Sequence, residues 1–191
     1  MRLAMRRPML GTQRQDVSPQ RPWFSAARST DSAADLRAVA GSALATDNAH
    51  EAIAALRMAA EYAPHDVELL LSLGVLLAHK GLYTEAQDTF MGVLDLDAQN
   101  LDALVNLGQL CRAGRHFVEA VDLLEHARRC HGDVPLVVGA LAAVAIDLGD
   151  EDGAIRLLVH LERSSPDFAE LPLLMRRLAT TRVRQRSALS Q

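Results

Sequence analysis

The chain has 191 residues, 49% of them apolar but only 4% aromatic, with a formal net charge of −4. That length fits one domain with one continuous core, and much Ala with few aromatics suits close-packed helices better than sheets. An acidic body (nine Lys/Arg against 22 Asp/Glu over 31–168) lies between basic ends (six Arg against Asp16 over 1–30, five Arg against Glu170 over 169–191), which argues against nucleic acid as main partner and favours basic or amphipathic protein segments.

Residues 1–31 mix Arg, Gln, Ser and Pro without helical period, and Pro8, Pro19 and Pro22 break any long helix. The reading is a flexible basic arm. Its apolar knob, Trp23-Phe24, is suited to docking on the body or on a second subunit, so a homodimer is left open.

From residue 33 a period of 34 residues sets in. Ala52, Ala86, Ala120 and Ala154 form one column, and Leu73-Gly74 returns as Leu107-Gly108. Fixed self-similarity at this length predicts stacked helical hairpins. The first, 33–66, carries Leu36, Val39, Ala40 and Ala43, then Ala52, Leu56 and Ala59, with Asp47 or Asn48 as cap between its helices. The second, 67–100, carries Leu70, Leu73, Gly74, Leu77, Ala86, Phe90 and Val93. The third, 101–134, has Leu104, Leu107, Gly108, Cys111, Ala120, Leu124 and Ala127. The fourth, 135–168, has Val138, Leu141, Ala142, Ala145, Ala154, Leu158, Leu161 and Pro166. Spacings of three and four within each helix define one buried face.

Small residues at Ala40, Gly74, Gly108 and Ala142 let the partner helix cross closely. Gly81 and Gly149 take the hairpin turns, where positive φ is often required. The third unit has Gly114 one position early, which predicts a slightly different turn. Residues 169–187 read as a capping helix, with Leu173, Leu174 and Leu178 over the stack and the Arg residues in water. Residues 188–191 are left as a disordered tail. The fold class is all-α, a solenoid of four hairpins plus a C-terminal cap.

Cys111 and Cys130 make no disulfide framework, and within helices both are expected as small buried hydrophobes in a reducing compartment. No run approaches the roughly 18 apolar residues of a membrane span, and the start lacks the apolar core of a secretory signal. The seven His have no metal spacing, and Asp95-Leu-Asp97 lacks the Gly and Glu of a calcium loop. No phosphate loop or nucleophile motif is present, so neither an enzyme nor a cofactor is expected.

The columns Leu-Gly, turn Gly, Ala, Phe/Leu, Ala/Val and terminal Pro resemble the tetratricopeptide repeat over residues 33–168. Departures are Leu77, Cys111 or Ala145 in place of the usual aromatic, and Ala98 and Gly132 in place of the terminal Pro. A narrower resemblance covers Pro64–Asn100, Leu101–Ala120, Asp133–Ala154 and Pro166–Leu171. These segments look like the repeats of class II type III secretion chaperones. The run Asp35–Ala60 is also similar to small repeat proteins that chaperone the needle subunit of the same apparatus. The resemblance implies a cytoplasmic chaperone that holds a hydrophobic translocator or needle subunit soluble before export. The alternative is a general tetratricopeptide scaffold or adaptor unrelated to secretion.

In the repeat family the first helix of each unit lines a groove. The corresponding positions are Arg37, Gly41 and Leu44, then Leu71, Val75 and Ala78, then Val105, Gln109 and Arg112, then Leu136, Gly139, Ala143 and Ile146. The expected client-binding residues are Leu44, Leu71, Val75, Ala78, Val105, Gln109, Arg112, Leu136, Ala143 and Ile146, with some of the Leu and Val packing on neighbouring helices instead. A carboxylate clamp fits poorly, because Gly41, Ser72 and Asp102 stand where Lys, Arg or Asn are needed and only Arg37 and Asn106 conform. A mostly apolar lining suits an extended or helical segment with apolar anchors.

Overall fold

The computed structural model describes residues 33–45 and 48–189, with side chains at 35–43, 45 and 48–183. The expected basic arm, Thr46-Asp47 and the Leu44 side chain lie outside this set. Nine helices follow in order among the described residues: α1 Ala33–Ala45, α2 Ala49–Tyr62, α3 Val67–His79, α4 Tyr83–Leu96, α5 Leu101–Ala113, α6 Phe117–His131, α7 Pro135–Leu148, α8 Glu151–Ser164 and α9 Leu171–Leu189. Consecutive helices pair as hairpins α1–α2, α3–α4, α5–α6 and α7–α8. The second helix of each packs on the first of the next, and α9 packs on α7 and α8.

Local chemistry starts the helices where the 34-residue register requires. Asn48 caps α2 by accepting from Glu51 N at 3.4 Å. Asp66 caps α3 by accepting from Leu69 N at 3.1 Å, and Asn100 caps α5 by accepting from Ala103 N at 3.0 Å. The next register position is Val134, which cannot cap, but Pro135 follows at the helix start with its φ preset. Asp150 caps α8 through Gly153 N at 2.9 Å.

The three hairpin turns among the described residues share one left-handed residue. Gly81 and Gly149 both have φ 77°, and Arg115, at the same register position, has φ 64°. The third turn therefore keeps the geometry of its neighbours, contrary to the expectation from Gly114. The register imposes the conformation, and an Arg bears it.

The core follows the columns. Ala52, Ala86, Ala120 and Ala154 are each fully buried. Phe90 lies over Gly74 and Leu124 over Gly108. Helix α7 is buried without interruption from Val137 to Ile146, because hairpins three and four and α9 surround it. Four expectations are corrected. Leu69 rather than Leu70 is the buried residue at the start of α3. Leu171, Leu174 and Leu178 seat α9 on the stack, while Leu173 is 56% exposed, since only the first three share one stripe of the helix. Not all Arg of α9 stand free in water: Arg177 pairs with Asp147 and Arg182 with Glu151. Cys111 is half-buried and Cys130 exposed, because position 130 falls on the outer side of the last turn of α6.

Candidate functional site

First helices adjoin one another, α3 on α5 and α5 on α7. Where they meet, the stack leaves open clefts. The cleft between α3 and α5 has a volume of about 270 Å³ and is lined by Val75, Ala78, His79, Phe90, Asn106, Gln109, Leu110, Arg112 and Ala113. A second, of about 250 Å³, lies between α1 and α3 and is lined by Arg37, Ala40, Gly41, Leu56, Glu68, Leu69 and Ser72.

The structure brings four of the expected residues, Val75, Ala78, Gln109 and Arg112, into the first cleft. Leu71 and Leu136 are half-buried outside it. Three others sit in the core. Val105 is 2% exposed and packs with Leu104, Val137, Leu141 and Val144. Ala143 and Ile146 are covered by the cluster that contains Leu174 and Leu178 of α9. Phe168, in the segment before α9, lies against Gly139 and closes the fourth unit from that side. The two clefts therefore open along α1, α3 and α5, while α7 is covered by α9 and its neighbours. His79, Asn106, Leu110 and Ala113 were not among the expected lining residues. Their signal is the helical period itself: Asn106, Gln109, Leu110 and Ala113 stand at i, i+3, i+4 and i+7, and His79 stands four after Val75.

The floor of the cleft is apolar, from Val75, Ala78, Leu110 and the edge of Phe90. The rim is polar and adaptable. Asn106 Nδ2 donates to Asp102 O at 2.8 Å within its own helix. Gln109 and His79 are exposed. Side-chain amides offer donor and acceptor together, which matches the alternating groups of a peptide backbone. Arg112 has another task. Its Nη1 donates to Asp147 Oδ2 at 2.5 Å, and Arg177 Nη2 donates to Asp147 Oδ1 at 2.6 Å. The three residues tie α5, α7 and α9 together. The pair with Asp147 makes this guanidinium a brace between helices, while its Nε is buried without a hydrogen-bond partner among the described residues. Similar braces join other units: Arg37 to Asp66 at 2.6 Å, and Arg57 to Glu85.

The cleft is smaller than the roughly 300–1,000 Å³ usual for small-molecule sites. It has room for one or two side chains of a larger ligand. Among the described residues no group of three or more His, Cys, Asp and Glu is placed to hold a metal ion, and no helix is long and apolar enough to cross a membrane.

Solved structures share this architecture. The crystal structure of the MamA protein matches with a TM-score of 0.67 at 20% identity, over 83% of this chain and 86% of that one. A tetratricopeptide repeat protein from Parabacteroides merdae gives 0.69 at 16% identity, over 81% of this chain and 62% of that one. YrrB, described as a TPR protein with an unusual peptide-binding site, gives 0.63 at 17% identity, over 87% and 84%. No protein-family model and no curated protein matches the chain. At these identities the likeness is one of fold, and that fold is the tetratricopeptide repeat.

Proposed function

We propose that this protein is a non-enzymatic tetratricopeptide scaffold for protein–protein interaction. It holds a segment of a partner protein along α1, α3 and α5, with apolar anchors in the cleft between α3 and α5. The observation that carries this is the composition of that cleft: an apolar floor from Val75 and Ala78 below the amides of Asn106 and Gln109. The likeness to YrrB supports a peptide as ligand. A narrower form of the reading is a cytoplasmic chaperone for a hydrophobic translocator or needle subunit of a type III secretion apparatus. It rests on sequence resemblance, and the structural likenesses support the broader form.

A displayed library of random peptides selected on the wild-type chain tests the proposal. Selected peptides lose binding to Val75→Glu and to Gln109→Glu, which place charge on the floor and rim. Peptides that bind both variants as well as wild type would contradict it. Co-expression with a translocator or needle subunit tests the narrower form, which requires a soluble complex that Val75→Glu disrupts.

A further inference from the structure

Helix α9 repeats, 34 residues on, the first helix of a hairpin. Leu171, Leu174 and Leu178 stand one period after Val137, Ala140 and Val144. Those α7 residues bury against the third hairpin, and their α9 counterparts bury against the fourth. The other face of α7 carries Val138, Ala142 and Ala145, which pack under α8 with Ala154, Leu158 and Leu161. On α9 the matching positions are Pro172, Arg176 and Ala179, and all three are exposed.

Beside them runs a cleft of about 390 Å³ between α8 and α9. Its walls include Ile155, Leu158 and Val159 from α8 and Met175, Ala179 and Val183 from α9. One period earlier Ile155, Leu158, Met175 and Leu178 correspond to Val121 and Leu124 of α6 and Leu141 and Val144 of α7, while Val159, Ala179 and Val183 correspond to Glu125, Ala145 and Gly149. There Leu124, Leu141 and Val144 are buried, and Val121 and Leu157 of α8 pack against their cluster. The earlier position is covered by α8, whereas the α8–α9 cleft is open among the described residues.

We propose that the α8–α9 cleft binds an acidic amphipathic helix supplied by another protein, lying on α8 and α9 much as α8 lies on α6 and α7. Shape points to a helix. The α9 wall from Met175 to Val183 extends about 12 Å at 1.5 Å per residue, which is matched by apolar residues at i, i+3 or i+4, and i+7. Charge points to acid. Residues 171–189 contain five Arg and no Asp or Glu. Arg177 and Arg182 are held by Asp147 and Glu151, whereas Arg176 is exposed and in no ion pair among the described residues.

Arg176 also sets where the helix sits. It occupies the position that Ala40, Gly74, Gly108 and Ala142 keep small, so a covering helix cannot settle over it as Phe90 settles over Gly74. The helix is displaced toward α8, with Arg176 at its edge, where a carboxylate gains a charge-assisted hydrogen bond. A second copy of α9 would set Arg against Arg.

The test uses a fluorescent helical peptide of about 18 residues with Leu on one face and Glu on its flanks, and the same peptide with Lys for Glu. Each is titrated by anisotropy into the full chain. The Glu peptide is expected to bind about tenfold or more tightly than the Lys peptide. Val159→Asp and Ala179→Asp, at exposed positions and checked for folding by circular dichroism, each weaken it by about tenfold or more. Arg176→Glu narrows the preference for Glu, and Val75→Glu in the other cleft leaves binding unchanged. The proposal is overturned if the two peptides bind alike or neither binds. It is also overturned if Val75→Glu abolishes binding while Val159→Asp does not, or if light scattering shows a dimer that Val159→Asp dissociates.

Discussion

Gly74 lies beneath Phe90 so closely that a Cβ at position 74 would stand 2.7 Å from Phe90 Cε1. The ring is fully buried, so it must shift to admit a methyl group. Gly74→Ala is therefore expected to lose about 1–3 kcal/mol to overpacking, less up to about 1 kcal/mol regained in helix propensity. Gly92, in the next helix, has nothing within 4 Å of its notional Cβ, so Gly92→Ala keeps the propensity gain of about 0.5–1 kcal/mol. Urea denaturation of both variants reads this contrast. Equal effects at the two sites would mean that the close crossing of α3 and α4 is not what selects Gly74.

Arg115 takes φ 64° where its register partners are Gly81 and Gly149. A left-handed conformation costs a side-chain-bearing residue about 1–2 kcal/mol, and Gly gives part of that back through the entropy of the unfolded chain. Arg115→Gly is expected to stabilise the protein by about 0.5–1 kcal/mol, although the Arg115 guanidinium stacks 5.7 Å from the centroid of Phe117. A thermal melt of this variant checks it, and a lowered midpoint would show that the stacking contact outweighs the strain.

Asp133 accepts from Arg128 Nε at 2.6 Å and faces His160 Nε2 at 3.2 Å. The hydrogen bond from Arg128 outweighs an opposing cost of desolvation and, with the charges of Arg128 and His160, holds its carboxyl below the usual range. A carboxyl depressed in the folded state contributes stability above its unfolded value, about pH 4. That contribution fades as pH falls through the folded value. The stability gap between wild type and Asp133→Asn should be widest near neutrality and shrink below about pH 4. Denaturant midpoints measured across that range give the answer, and a gap independent of pH would remove Asp133 from the account.

The two thiols should react at different rates. Burial pushes the Cys111 thiol up, and Glu119 adds to it, so less of the nucleophilic thiolate forms. Cys130 is exposed. Labelling with a maleimide followed by peptide mapping should modify Cys130 first and leave Cys111 until the chain is unfolded.

Much of the fold was legible because a repeat states its rule several times. Ala52, Ala86, Ala120 and Ala154 sit one period apart and are all buried, and Gly74 and Gly108 each meet a large side chain on the facing helix. The turn at Arg115 was misjudged because local residue preference favoured Gly114, while the backbone obeys the register. The site was harder to read. Positions equivalent by register need not be equally open. Val75 and Gln109 line a cleft, but Val105, Ala143 and Ile146 are buried by α7 and α9. Which helix of a stack is covered depends on how its neighbours end, and the period of a single helix does not carry that. Leu171 and Leu173 are a different case: both are apolar residues at the start of α9, and the spacing of three and four to Leu174 and Leu178 already favours Leu171, which is the buried one.

The central claim is that a partner segment lies over α3 and α5, between Val75 and Gln109. The most direct measurement is the backbone amide spectrum of the isotope-labelled chain, titrated with a peptide selected on it. The account predicts shifts concentrated in residues 71–79 and 105–113, and absent in Val75→Glu. Shifts confined to α2, α4 and α6, or unchanged by Val75→Glu, would contradict it.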